Sequence, residues 1–272
     1  EYGHKITATP DHKIYILRDN KFIYEEAQKL VPTDYLCLPK QKCTAAAPLN
    51  LPCDSVDLPT TMTPDLAFVI GAMIDSNINN VLKNKNLDFL ELVDQKLKGL
   101  FGKRFVADQN ISVDVAWNNP HTYVLNIQKN LKKWFDKIGV SDNGIPWSIL
   151  QATEDCQLAF CSALLKNKTI TSTSYHLISQ IQILLQSHGL VSKIQKNNLF
   201  KLLLPLECSN EFFARLTPYL SFDPANQKEY TNFEVKSDSN YYFVKVAKVR
   251  KGVPQKVYDI TMQDQSRHAF SA

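Results

Sequence analysis

The chain has 272 residues, 44% hydrophobic and 21% charged, which suits a globular protein with one large core or two modest ones. Its net charge of +4 is a small basic excess, typical of a solvated surface and far from the strong footprint of a dedicated nucleic-acid binder. Only 8 glycines are present, with neither G-x-G-x-x-G nor G-x-x-x-x-G-K among them, which argues against nucleotide chemistry on a phosphate loop.

The first 58 residues read as β. Glu1 through Thr9 has the texture of a strand already under way and not of a targeting peptide. Ile14 to Leu17 and Lys21 to Tyr24 flank a turn at Arg18-Asp19-Asn20, and Tyr35-Leu36-Cys37-Leu38 follows as a third strand ending at Pro39. Residues 40 to 64 are rich in Pro, Ala, Thr and Ser, lack periodicity and read as a linker.

The middle of the chain mixes helices with short strands. Leu66 to Asp75 is an apolar helix, too short to cross a bilayer, so no membrane partner is expected. Asp88 to Leu100 is amphipathic, with Leu90, Val93 and Leu97 on one face. Asn126 to Ile138 repeats that pattern through Ile127, Leu131, Trp134 and Phe135. Asp155 to Leu165 is a second apolar helix, and Tyr175 to His188 an amphipathic one closed by Gly189. Strands are expected at Val191 to Gln195 and Phe200 to Leu204. From about residue 230 the β texture returns, with Tyr241 to Val249 alternating and Val257 to Met262 following. Six cysteines form no C-x-x-C pair and no histidines stand at finger spacing, so neither a zinc site nor a disulfide framework is expected. Free thiols then fit an intracellular chain.

β-rich ends around an α/β middle describe one β domain split by an insertion, an α+β chain overall. Three segments at those ends carry a specific resemblance: Thr9-Pro10-Asp11-His12; Val31-Pro32-Thr33-Asp34-Tyr35-Leu36-Cys37-Leu38-Pro39; and Val257-Tyr258-Asp259-Ile260-Thr261-Met262 with His268-Ala269-Phe270. They resemble, in this order, the motifs of inteins and the wider Hint group, with Thr33 replacing a usual glycine. The resemblance implies a discontinuous all-β Hint splicing domain over residues 1–58 and 228–272. In such a domain an imidazole can protonate the amide nitrogen that leaves in the first acyl shift, while a hydroxyl neighbour polarises the carbonyl. By resemblance His12 is the proton donor and Thr9 the hydrogen-bonding partner of the carbonyl, Asp259 steers transesterification, and His268 assists cyclisation of a terminal asparagine. The plainer alternatives are a turn-capping carboxylate for Asp259 and an exposed loop residue for His268. Glu1 stands where an intein's nucleophilic Cys or Ser block would already have passed, and Ser271-Ala272 stands where His-Asn would close it. Splicing is therefore expected to need completing N- and C-terminal segments and a flanking host protein as partners.

The insertion, residues 59–227, carries a second resemblance. Leu66-Ala67-Phe68-Val69-Ile70-Gly71-Ala72-Met73-Ile74-Asp75-Ser76 and Leu158-Ala159-Phe160-Cys161-Ser162-Ala163-Leu164-Leu165-Lys166-Asn167-Lys168 resemble the two helices of a LAGLIDADG endonuclease. The flanking Gly144-Ile145-Pro146 and the Leu-Gly-Leu-like ending at Gly189-Leu190 are similar to those of fungal vacuolar-ATPase inteins. That family implies a pseudo-twofold α/β unit in which each helix ends in an acid holding a divalent metal. At those two positions this chain has Ser76 and Lys168, poor and repulsive ligands respectively. Asp75 is one position off, about 100° around a helix. No DNA cleavage is expected, and no cofactor, Mg2+ being relevant only to an active enzyme. Lys83, Lys85, Lys96, Lys98, Lys103, Arg104, Lys193, Lys196 and Lys201 could give weak DNA contact, or simply solvate their faces. A DNA-binding protein derived from a homing endonuclease, still active as an endonuclease or recruited to a new role, is the second reading of the chain, and an interaction module on a Hint scaffold the third.

Overall fold

The computed structural model describes residues 3–40, 47–75, 81–101, 111–114, 122–127, 129–140, 144–166, 169–216 and 235–253. The second strand expected at Val257 to Met262 lies outside them.

The β end forms one antiparallel sheet. β1 (Lys13–Arg18) and β2 (Lys21–Glu26) make a hairpin closed by Asp19 and Asn20, whose φ values of 50° and 59° are those a two-residue hairpin turn demands and short polar side chains tolerate. β3 (Tyr35–Pro39) pairs with β1 on its other edge. β11 (Tyr241–Lys245), some two hundred residues later, pairs with β3 through Phe243 opposite Cys37. The strand order is β11-β3-β1-β2, so residues 13–39 and 241–245 meet in one sheet. β11 is shorter than the alternating run to Val249 suggested. Its last ladder partner is Tyr35, where β3 begins, and with Val246 N–H donating to Asp34 C=O the pairing has run past the start of β3.

Asp34 explains why an Asp-Tyr-Leu stretch belongs there. Its fully buried carboxylate receives Arg18 Nε and a second guanidinium nitrogen at 2.6 and 2.8 Å, and Val31 N–H at 2.8 Å. Arg18 also reaches Glu25 at 2.6 Å. The Arg18 fork holds the Asp34 carboxyl below its ordinary value and ties the entry of β3 to the β1–β2 hairpin.

The middle of the chain repeats one element order. Its first half runs α1 (Pro64–Asp75), β4 (Val81–Asn84), α2 (Leu87–Leu100), β5 (Ile111–Asp114), β6 (Thr122–Asn126) and α3 (Lys129–Lys137). After a short α4 (Trp147–Leu150) its second half runs α5 (Glu154–Ala163), β7 (Leu165–Lys166), β8 (Thr169–Ser172), α6 (Tyr175–Ser187), β9 (Lys193–Lys196), β10 (Phe200–Leu203) and α7 (Leu206–Leu216). The sheet order β4-β6-β5 recurs as β8-β10-β9, with β7 added at the edge. The amphipathic patterns land where expected: Leu90, Val93 and Leu97 of α2 are buried, and so are Ile127, Leu131, Trp134 and Phe135. Residue 126 closes a strand instead of opening a helix, because Asn126 is paired with Val81. Asn86 and Ser174 cap α2 and α6, each accepting a backbone N–H at 3.2 Å.

The segment read as a linker is built structure over its described part. Leu51 N–H donates to Thr60 C=O and Met62 N–H to Leu49 C=O, both at 2.8 Å, folding 49–62 into a hairpin-like loop. Leu51, Leu58 and Met62 enter the core shared with α1 and α3, and Trp134 Nε1 donates to Pro52 C=O at 2.9 Å. Three apolar residues at irregular spacing leave no periodic signal, yet they suffice to anchor a loop.

Candidate functional site

Thr9 to His12 form a tight turn in which His12 N–H donates to Thr9 C=O at 3.2 Å. The turn sits directly before β1 and is pinned to the chain after β2: Gln28 N–H donates to Pro10 C=O at 3.0 Å and Ala27 N–H to His12 C=O at 2.8 Å. Thr9 is partly buried and His12 exposed, with both residues brought into one turn of backbone. An imidazole held by a pinned turn but open to solvent can transfer a proton to a group presented beside it. Asp259 and His268 lie outside the described residues, as do Ser76 and Lys168.

The chain upstream of this turn enters a socket that the sequence did not reveal. Tyr175 Oη donates to Gly3 C=O at 3.3 Å, and a Cβ on Gly3 would lie 3.0 Å from Ile194 Cβ. The His4 ring is half-buried, hydrogen-bonds to the Ser192 backbone, and has its Nε2 shielded with no partner. Burial pushes its pKa down to about 4, against the opposing pull of that hydrogen bond. The socket joins residues about 190 positions apart, so no local pattern could have announced it.

Two of the thiols, Cys37 and Cys161, are poorly suited to act as nucleophiles. Burial raises Cys37 to about 11 and Cys161 to about 12, far above the range of an activated cysteine.

The second feature is the seam between α1 and α5. A Cβ on Gly71 would stand 2.5 Å from Phe160 C=O and 3.0 Å from Ala163 Cβ, so only glycine lets the two backbones approach this closely. Both helices are buried along the seam: Leu66, Val69, Ile70 and Met73 from α1, Ala159, Phe160 and Ala163 from α5. The small residues chosen from sequence therefore meet each other. Among the described residues no group of three His, Cys, Asp or Glu side chains could hold a metal ion, and no helix is long and apolar enough to cross a membrane.

The lysines divide. Lys96 pairs with Asp65 and lies over the Phe68 ring, while Lys98 pairs with Asp94 at 2.6 Å, so both serve α2. Lys201 shares a sheet row with Thr171 and Gln195, a polar row without an acid. Lys103 and Arg104 lie outside the described residues.

Compared with known proteins, residues 1–271 match the family model described as the intein splicing domain. No curated protein matches the chain. Among solved structures, mesophilic variants of the homing endonuclease I-DmoI superpose with a TM-score of 0.42 at 13% identity, over 57% of this chain and 96% of theirs. I-DmoI in complex with DNA and Ca gives a TM-score of 0.41 at 13% identity, over 56% of this chain and 88% of its own.

Proposed function

The chain belongs to the intein splicing domain family, and on that premise we propose that it is the body of an element that excises itself from a flanking host protein, with an inserted LAGLIDADG-type unit that no longer cuts DNA. The splicing domain comprises 1–58 and 228–272, and the inserted unit 59–227. The observation that carries the splicing reading is the pinned Thr9–His12 turn, which brings these two residues into one turn of backbone at the entry of β1.

In the first step a side-chain thiol or hydroxyl attacks the preceding carbonyl, the peptide C–N bond breaks, and an ester or thioester forms. The nitrogen leaves as an amine and must gain a proton. His12 supplies it, and Thr9 hydrogen-bonds to the polarised carbonyl. Asp259 steers transfer of the acyl group to the second nucleophile, and His268 assists asparagine cyclisation. The test is a precursor in which added segments supply a first Cys and a final His-Asn between foreign proteins. Ligated product is expected by mass from the parent and none from His12→Ala. A folded parent that neither ligates nor cleaves would sink the reading.

For the inserted unit, the Gly71 seat on α5 and the repeated element order support a LAGLIDADG-type pair of halves. Ser76 and Lys168 stand where metal-binding acids would be needed. A hydroxyl and an ammonium are not a donor set for Mg2+, so no cleavage step is derived through a metal. The second reading, DNA binding without cutting, is favoured by the acid-free row Thr171, Lys201 and Gln195. Salt-dependent retention of duplex DNA that drops on Lys201→Glu would support it, and equal elution of both proteins would remove it.

A further inference from the structure

Residues 3–8 are held at two ends and little between. Lys5 to Ala8 are exposed, Ile6 at 56%, so this stretch packs weakly on the sheet it enters. Downstream, the turn is pinned by Ala27 and Gln28. Upstream, Gly3 and His4 sit among Tyr175 of α6 and Ser192 and Ile194 at the start of β9, all belonging to the inserted unit. A tether fixed at both ends has a defined direction, whereas one fixed only at Thr9 samples many.

Three further contacts run from the splicing sheet and the residue after β3 to the same half of the insertion. The backbone of Gly189, at φ +75°, lies against Lys40 C=O, which a Cβ there would approach to 2.4 Å, and Gln186 Nε2 donates to Pro39 C=O at 3.0 Å. Tyr242 and Val244 of β11 join the core of the inserted unit, with Cys208 Sγ 3.3 Å from Tyr242 Oη. The second half is thus fastened beside the sheet by these three contacts, and its socket also grips the arm that leads into the proposed proton donor.

Building on the splicing reading, we infer that the inserted unit has a positioning role in splicing: its Tyr175–Ser192–Ile194 socket fixes the arm at Gly3 and His4, and so sets the chain upstream of Thr9 and His12 for the first acyl shift. His4 is a positioning residue that acts through the arm. This gives the insertion a use that does not depend on Ser76 or Lys168.

The test uses the completed precursor described above and follows two cleavages separately: thiol-induced release at the N-terminal junction and release at the C-terminal junction. His4→Ala combined with Ile194→Ala should slow N-terminal release about tenfold, because a small misplacement of reacting groups has a steep rate cost. C-terminal release should stay within about twofold on the same grounds, the arm having no part in it. His4→Phe refills the socket, and Ser192 C=O keeps its bond from Gln182 Nε2 at 2.9 Å, so this variant should recover most of the N-terminal rate. Tyr175→Phe, a mild change at a partly exposed side chain, serves if the double variant does not fold, and should slow the N-terminal step alone by about threefold. Parent-like N-terminal release in the socket variants, with His12→Ala still dead, would overturn the inference and leave the splicing reading standing. Equal slowing of both releases alongside a lower melting temperature would reduce the socket to a structural role and overturn it too. Undiminished release from His12→Ala would remove the splicing reading and this inference with it.

Discussion

The two seams of this molecule are built on opposite principles. The α1–α5 seam is dry and periodic: glycine and alanine admit close backbones, and large apolar side chains fill both flanks. The seam between the β11-β3-β1-β2 sheet with its leading arm and the middle of the chain is a set of separate fastenings, including a glycine against a carbonyl, a tyrosine hydroxyl on a backbone oxygen, and a histidine in a half-buried socket. The first stabilises through area and is inherited from residues close in sequence pattern. The second stabilises little per contact but fixes where one unit stands on the other. Tight packing and accurate placement are therefore divided between different interfaces.

That contrast can be broken or sharpened by substitution. The largest loss is expected from Gly71→Val, about 4 kcal/mol in chemical denaturation, above ordinary overpacking because the clash is with backbone that cannot turn away. A loss under about 1 kcal/mol would mean the seam is softer than its geometry implies.

Next comes acid. The folded-state pKa of His4 lies at about 4, below its unfolded value of 6.5, so between these two values the unfolded chain binds more protons. Stability is full above pH 6.5 and falls as pH drops toward 4, by about 3 kcal/mol in all. His4→Phe should flatten this slope, and an unchanged slope in that variant would show that other groups carry it. The Asp34 carboxyl, held low by Arg18, adds its own loss at still lower pH, as acid reaches its depressed folded pKa.

A smaller effect is expected at Gly189→Ala, about 2 kcal/mol from a side chain at positive φ facing the Lys40 carbonyl. If the seam is a placement device, this variant should also change protease susceptibility at Lys5 to Ala8, which a purely local strain would not do. The smallest is Tyr242→Phe, about 1 kcal/mol for the lost hydroxyl, read from the denaturation midpoint. A much larger cost would move this contact from fastening to core.

What the sequence made legible follows the same division. The helices of the insertion were readable because burial on one face imposes a 3.6-residue period, and Gly71 and Ala163 because close helices need small residues. The hairpin at Asp19-Asn20 was readable from turn chemistry. Asp34 stood out through its resemblance to a family motif, but its physical reason, the Arg18 fork, depends on a residue 16 positions away. The 49–62 loop was misread because anchors at Leu51, Leu58 and Met62 follow no period, and the His4 socket escaped because its walls lie in another unit.

The 49–62 loop has one more consequence. Its tip, Val56, is fully exposed, while Leu51 and Leu58 on either side are buried and Leu51 is bonded across to Thr60. A backbone broken at that tip would leave two pieces, each still carrying half of a closed hydrogen-bonded clasp, and β3 and β11 would hold the ends of the pair together in one sheet. Two polypeptides made apart and divided at Val56 are therefore expected to reassemble into one body, which co-purification of the two pieces would check.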